Sequence, residues 1–433
     1  MNINGDEIMD EMIQPTKEQN RSKTILKPEL LAPAGNLEKL KMAIVYGADA
    51  VYLGGEEYGL RASAGNFSID ELREGISFAH KRGKKVYLTM NIIPHDKDFE
   101  GMAEYIRQVR DMEVDAVIFS DPGIYDILRQ EAPDMELHLS TQANNTNWRS
   151  AAFWHRHGVK RIILARELSI EEIREIRRNV PEDLELEMFV HGAMCISYSG
   201  RCLLSNYMAG RDSNRGLCAH PCRWRYYLME EKRPGEYMPV YENDRGTFIF
   251  NSKDLCLIGS IPEIAGSGVT SLKIEGRMKS SYYVATVVKA YREAIDAYIS
   301  DPEGYSFDST WLEEMSKASH REYTTGFFYG RPGSNEQIYG SSSYIRDYDF
   351  VGLVTDYDEK TGIATIEQRN RFCVGDELEV VNPKGPYHIH RVTSMKNEEG
   401  EDIEAAPHPQ MTVYMRMDPP VGPYTMLRRR ADG

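Results

Sequence analysis

No apolar run in this chain approaches the roughly 18 residues that a bilayer-crossing helix needs. Nor does the opening MNINGDEIMDEMIQPTKEQN have the basic start and greasy middle of a secretory leader. The expected location is therefore the cytoplasm, with no membrane partner. Cysteine is scarce, 6 in 433 residues, and in a reducing compartment so few thiols are not a disulfide framework. Positive charge is in deficit: 52 Lys and Arg stand against 67 Asp and Glu, a net charge of -15, which argues against extended, non-specific nucleic-acid binding. The sequence also contains no His-Glu-x-x-His, no Gly-x-Ser-x-Gly, no phosphate loop and no Gly-x-Gly-x-x-Gly. It thus lacks the signatures of zinc proteases, serine hydrolases and nucleotide-binding folds.

What is there is an ordinary globular balance, 41% hydrophobic and 27% charged, in a chain long enough for two or three domains. Residues 1–26 carry no apolar period and read as a mobile tail. From Glu29 onward, short apolar runs at Leu30–Ala32, Ala50–Leu53, Val86–Met90, Ala116–Phe119, Glu136–Leu139, Arg161–Leu164, Leu184–Val190 and Ser271–Ile274 read as eight strands. Between them, 36–46, 68–82, 97–110, 122–131, 147–157 and 168–178 have helical spacing, with 279–299 as the eighth helix. Asn36, Ser68 and Ser169 are placed as N-caps, and Ser68-Ile-Asp-Glu71 has the form of a capping box. Eight such units predict a (β/α)8-type barrel over 27–300, interrupted after strand seven by a cysteine-rich insertion at 191–256. Residues 301–344 read as a connector, with a helix at 310–319 followed by a Gly/aromatic stretch. From 345 to 433 the period becomes two, which predicts a small antiparallel β-barrel.

The insertion carries the most specific chemistry. Cys195, Cys202, Cys218, Cys222 and Cys256 are five of the six cysteines and fall within about 60 residues. Soft thiolates of this kind hold either structural zinc or an iron-sulfur cluster. Zinc sites favour pairs two to four residues apart, whereas Cys195 and Cys202 are seven apart, so the wide spacing favours a 4Fe-4S cluster. The ligand set is expected to be Cys195, Cys202, Cys218 and Cys256, with Cys222 as substitute or neighbour. Between Cys195 and Arg225 five arginines, among them Arg201, face one acid, Asp212. That basic island suits cluster charge or an anionic substrate. Cys373, in the small β domain, reads as a packed thiol.

A second constellation lies at the ends of the predicted strands, where barrels of this type carry their function. Asn91, Asp121, Gln142, Asn144, Asn145, Arg166, His191, Glu275 and Arg277 all follow strands. His191, Glu275 and Asp121 are the candidates for moving protons, and Asn91, Gln142, Asn144, Arg166, Arg201 and Arg277 for holding substrate. His388-Ile-His390 reads as a packed or surface pair, and Arg428-Arg429-Arg430 as a solvated run.

Several segments then resemble one family: Glu29-Leu-Leu-Ala-Pro-Ala-Gly35, Gly47-Ala-Asp-Ala-Val-Tyr-Leu-Gly-Gly55, Phe189-Val-His-Gly-Ala-Met-Cys-Ile-Ser-Tyr-Ser-Gly-Arg-Cys202, Arg215-Gly-Leu-Cys-Ala-His-Pro-Cys-Arg223, Ser252-Lys-Asp-Leu-Cys256 and Leu272-Lys-Ile-Glu-Gly-Arg277. They look like the peptidase U32 family, also called collagenase-like proteases, over 29 to about 335, and the β-rich end resembles that family's C-terminal domain. Some members are described as collagenases. Others support oxygen-independent hydroxylation, either in the ubiquinone pathway or of tRNA, where 5-hydroxyuridine is installed at the wobble position with prephenate as hydroxyl source. The resemblance implies a 4Fe-4S cluster on Cys195, Cys202, Cys218 and Cys256, with Cys222 a departure from relatives that lack it. The β-rich tail resembles the tRNA branch. The implied function is thus tRNA hydroxylation, with tRNA as partner, prephenate as co-substrate and a related hydroxylation subunit as a further partner. Hydrolysis of peptides as a U32-type peptidase is the competing expectation.

Overall fold

The structure is a computed structural model, and it describes residues 27–55, 58, 66–194, 202, 204–211, 218–219, 221, 227–228, 238–239, 253–330 and 345–431. The tail expected at 1–26 lies outside the described residues. Seven strands follow one another in parallel register: β1 (Glu29–Pro33), β2 (Ala50–Leu53), β3 (Lys85–Met90), β4 (Ala116–Phe119), β5 (Leu137–Leu139), β6 (Arg161–Ile163) and β7 (Glu185–Ala193). Within the insertion come α7 (Leu204–Ala209), a ribbon of β8 (Tyr227–Leu228) and β9 (Met238–Pro239), and β10 (Asp254–Cys256), which returns antiparallel along β7. The next strand, β11 (Ser271–Ile274), pairs in parallel with both β7 and β1 and closes the barrel. All eight predicted barrel strands are present.

Eight helices fall where the apolar period places them: α1 (Leu37–Val45), α2 (Ile69–His80), α3 (Met102–Asp111), α4 (Pro122–Glu131), α5 (Trp148–Arg156), α6 (Ile170–Arg178), α9 (Ser281–Ser300) and α10 (Ser309–Ser316); the short α8 (Ile261–Ala265), which the sequence pattern does not announce, is an addition. Asn36, Ser68 and Ser169 accept from the first-turn amides of their helices, and both serines close capping boxes, with Glu71 and Glu172. Such reciprocal caps satisfy amides that have no partner inside the helix. No helix among the described residues is long and apolar enough to cross a membrane.

The barrel lumen is not a plain hydrocarbon core. Alternate strand residues point inward, and they bring charge. The Arg161 guanidinium lies 2.6 Å from Glu29, 2.6 Å from Glu185 and 3.2 Å from Glu187. Lys273 meets Glu187 at 2.8 Å, and the hydroxyls of Tyr87 and Ser271 donate to Glu29. Glu187 is wholly buried. Burial alone would favour its neutral form, but Lys273 and Arg161 outweigh it and hold the carboxyl below its usual range. His138, also buried, lies edge-on to Tyr87 and hydrogen-bonds Glu136 at 2.8 Å.

After β12 (Tyr323–Thr324), which extends β10, come β13 (Tyr348–Asp358), β14 (Ile363–Gln368), β15 (Phe372–Cys373), β16 (Glu377–Val381), β17 (His388–Arg391), β18 (Met395–Lys396), β19 (Asp402–Ile403), β20 (Ala405–Ala406), β21 (Thr412–Arg416) and β22 (Met426–Arg430). Eight of these form one antiparallel sheet in the order β17-β16-β22-β13-β14-β21-β18-β19, with β15 and β20 paired apart. The small barrel is in detail a half-barrel, wrapped around Val351, Val354, Ile366, Leu378, Val413 and Leu427. His388 and His390 share one half-buried face of β17.

The arginine run in β22 departs from its expected solvation. Arg428 is fully buried, pairs with Glu314 and Glu379 at 2.6 Å each, and reaches the hydroxyl of Tyr282 at 3.4 Å. Arg429 pairs with Asp376, and only Arg430 is exposed. The strand period alternates these neighbours between faces, so Arg428 is driven into the junction with α9 and α10. Lys289 adds to that junction by donating to the carbonyls of Asn382 and Gly385, and the Tyr46 hydroxyl lies within 2.9 Å of the Val381 carbonyl.

The lumen charges can be tested by two substitutions. Glu187→Ala strands a buried lysine and should lower stability by about 3–5 kcal/mol in urea unfolding; a loss below ~1 kcal/mol would show that the lumen charges are not coupled. Burial pulls His138 below its ordinary 6.5 despite the opposing Glu136 hydrogen bond, so the unfolded chain takes up a proton that the folded one refuses. The associated stability is whole above pH 6.5 and is lost as pH falls toward the folded value. Compared with wild type, His138→Phe should flatten the decline that sets in as pH falls below 6.5 by up to ~1.4 kcal/mol per pH unit, read from urea midpoints.

Candidate active site

The C-terminal ends of the barrel strands converge on a polar mouth. Arg166, just past β6, lays its guanidinium 3.8 Å over the Phe189 ring, donates to the Ala193 carbonyl and meets Glu275 at 3.2 Å. Glu275 follows β11, its amide donates to the His191 carbonyl at 2.8 Å, and its carboxylate accepts from the Gly276 amide. The rim thus ties β6, β7 and β11 together. Gly192 makes this approach feasible: at φ +110° it adopts a conformation that side chains disfavour, and a Cβ there would sit 2.5 Å from the Glu275 carbonyl oxygen. Arg277 is buried on the other side of β11, donating to Asn66 at 2.9 Å and to Thr89 at 3.4 Å. Its guanidinium fills the space above Gly54, where a Cβ would come within 2.6 Å of it.

Across the mouth, the loops after β5 and β6 are zipped together by Thr141, whose hydroxyl donates to the Leu164 carbonyl, and by the Ala165 amide, which donates to the Asn145 carbonyl. Asn91 reaches this loop by donating to Ser140 at 3.2 Å. Asn144 is held in left-handed conformation, φ 54° and ψ 50°, with its amide group on the Gln142 carbonyl. Three buried acceptor oxygens here meet no donor among the described residues: Gln142 Oε1, Asn144 Oδ1 and Glu167 Oε2. On the same terms, Arg166 Nε is a buried donor without an acceptor. Burial raises the Glu167 carboxyl above the usual carboxylate range, against the pull of Arg166. Unmet polar atoms beside a left-handed non-glycine residue are the kind of strain that ligand sites retain.

Glu167 is absent from the candidates that the sequence offers. Its adjacency to Arg166 was the only available signal. Asp121, in contrast, is occupied in capping α4, where it accepts from the Gly123 amide at 2.7 Å. His191 lies deeper than the rim, among the rings of Tyr283, Tyr291 and Tyr323. Burial drives its pKa to about 3, with Asp254 opposing, so it is a neutral imidazole. Its Nε2 has no partner among the described residues, while Nδ1 stands 3.5 Å from the Tyr291 hydroxyl.

Cys256, at the end of β10, is paired in register with His191. Cys202 precedes α7, and the Ala219 amide, next to Cys218, donates to Ser205 in the first turn of that helix. Two thiols are therefore brought toward one helix start, and a third lies behind the mouth. Among the described residues no three Cys, His, Asp or Glu side chains gather into a complete metal-binding group. Cys195, Cys222 and Arg201 lie outside the described residues. The donor chemistry of Cys202, Cys218 and Cys256 suits iron or zinc, with a fourth ligand completing the set, a thiol for a cluster and a thiol or an imidazole for zinc.

Comparison with known proteins is extensive. The model of peptidase family U32 matches residues 35–338, and that of the peptidase family U32 C-terminal domain matches 346–428. The chain is 48% identical over 403 residues to "tRNA hydroxylation protein P1" of Bacillus subtilis, covering 93% of this chain and 95% of that protein. It is 40% identical to "tRNA hydroxylation protein P" of Escherichia coli, covering 90% and 94%. A "Collagenase" of Porphyromonas gingivalis is 33% identical, over 86% of this chain and 90% of that protein.

The unmet acceptors generate a test. Asn144→Gly keeps the left-handed turn and should change stability by less than about 1 kcal/mol in urea unfolding, yet turnover should fall at least tenfold, about 1.4 kcal/mol of lost transition-state binding. Full activity would remove Asn144 from the site.

Proposed function

The chain belongs to peptidase family U32, and on that footing we propose that it is a tRNA hydroxylation enzyme that forms 5-hydroxyuridine at the wobble position without molecular oxygen. The observation that carries this reading is the 48% likeness to a tRNA hydroxylation protein across both domains. The mouth supports it chemically. A wobble uridine extruded from the anticodon stack offers an N3–H and ribose hydroxyls, donors of the kind that Gln142 Oε1 and Asn144 Oδ1 lack among the described residues. Glu167, whose carboxyl burial pushes above the usual carboxylate range, offers Oε2 as a further polar contact for the base or ribose. Arg166 and Arg277 suit the carboxylates of prephenate, the proposed hydroxyl source. His191, neutral and buried, can hydrogen-bond at Nε2 without taking up a charge.

A 4Fe-4S cluster belongs to the proposal, with Cys202, Cys218 and Cys256 as ligands and Cys195 or Cys222 as the fourth. When bound it supplies redox-active iron beside the mouth. The remaining steps belong to the protein: the rim orients the base, and the loops after β5 and β6 read its edge. A related hydroxylation subunit is a further proposed partner, and the cytoplasm the proposed location.

Deleting the gene in a strain without another wobble-uridine hydroxylase should abolish 5-hydroxyuridine in tRNA digests analysed by mass spectrometry. The wild-type gene should restore it and Cys202→Ala should not. Anaerobically purified protein should contain iron and acid-labile sulfide, both reduced in Cys202→Ala. Unchanged 5-hydroxyuridine in the deletion strain, together with cleavage of denatured collagen by the purified protein, would favour the peptidase reading instead.

A further inference from the structure

Beside the mouth lies a cavity of about 590 Å³ that the proposed reaction does not use. One wall is the barrel rim, with Ala193 and Glu275, the two partners of Arg166, followed by Met278, Lys279 and the start of α9. The other wall is the C-terminal sheet, with Arg346, Tyr348, Phe350 and Arg369. The groove therefore opens directly onto the site and exists only because the two domains are locked together.

Its chemistry contrasts with the rest of the chain. Among the described residues, Lys279, Arg346 and Arg369 line it against a single acid, Glu275, in a protein with a net charge of -15. Arg369 is tied across the junction to Glu38 at 3.0 Å. Arg346 is 58% exposed and pairs with Asp349 three residues away, an ion pair worth little in water. The rings of Tyr282 and Phe350, one from each domain, stack at 5.4 Å and 8°, and Met278 stands 59% exposed at the edge. Cations beside flat apolar surfaces are what single-stranded nucleic acid requires, since each nucleotide presents a phosphate and a π-face. The volume suits a small ligand or one nucleotide rather than a duplex.

We infer that this interdomain groove is an RNA subsite for the nucleotide adjacent to the reacting uridine, with its phosphate at Lys279 and Arg346 and its base against Tyr348 and the Tyr282–Phe350 stack. The inference rests on the proposed tRNA substrate and assigns the C-terminal domain a share in binding it.

The test measures binding of an anticodon stem-loop RNA to the full chain by fluorescence anisotropy over a range of salt, beside binding of uridine alone. Arg346→Glu should weaken stem-loop binding about tenfold at low salt and reduce the slope of log K against log salt by roughly 0.7 for each phosphate that is no longer neutralised. Arg346→Lys should restore most of the affinity, and uridine binding should be the same in all three proteins. If wild type binds the stem-loop and Arg346→Glu binds it equally well with the same salt slope, the groove is not the subsite and the proposed function stands. If wild type does not bind the stem-loop, the groove and the tRNA reading fall together.

Discussion

Everything in the barrel is arranged around a carboxylate that has no access to water. Glu187 on β7 sits between Arg161 on β6 and Lys273 on β11, while Arg161 reaches on to Glu29 of β1. Four strands are therefore bound through one set of charges, and three of them, β7, β11 and β1, form the seam at which the barrel closes. Buried charges are weak evidence for stability, because desolvation offsets their attraction. They are demanding about geometry, however, since a slipped register would leave a cation in the interior without its counter-ion. That demand falls on the strands whose upper ends carry His191, Glu275 and Arg277. The lower network and the mouth meet at Phe189, whose ring has Lys273 at 5.5 Å and Arg166 at 3.8 Å.

The outline of this fold was legible because its signals are local. Apolar runs three to seven residues long, helices at a 3.6 period, and the serine or asparagine caps of α1, α2, α5, α6 and α9 all act within a few residues, and the eight strands fall where they are read. The lumen network was not legible. Glu187 and Lys273 alternate with apolar neighbours in the sequence, but the partner that permits each burial is on another strand, 86 residues away for this pair. Arg428 failed for the same reason. Three consecutive arginines look solvated until two acids from distant elements, Glu314 and Glu379, are brought to the middle one.

The candidate site divides along the same line. Position after a strand puts Arg166, Glu275 and Arg277 just beyond the ends of β6 and β11, since barrel topology fixes where strand ends go. Position alone did not separate Asp121, which caps a helix, from Gln142 and Asn144, whose oxygens lack donors among the described residues. Nor did it reveal that His191 lies too deep to be charged, or that Glu167 shares the deprived rim. The two domains are likewise separate in sequence pattern, yet the groove between them is lined from both.

The order of strands in the C-terminal sheet has a consequence for biosynthesis. β22 is made after every other strand of that sheet, yet it lies between β16 and β13, near the middle. Until residues 426–430 leave the ribosome, the sheet remains two unjoined pieces with their inner edges open, and the junction lacks Arg428. Such edges are templates for pairing with other chains. The nascent protein thus carries open sheet edges until β22 is made, and a frameshift or stop codon before Met426 would make that transient state permanent.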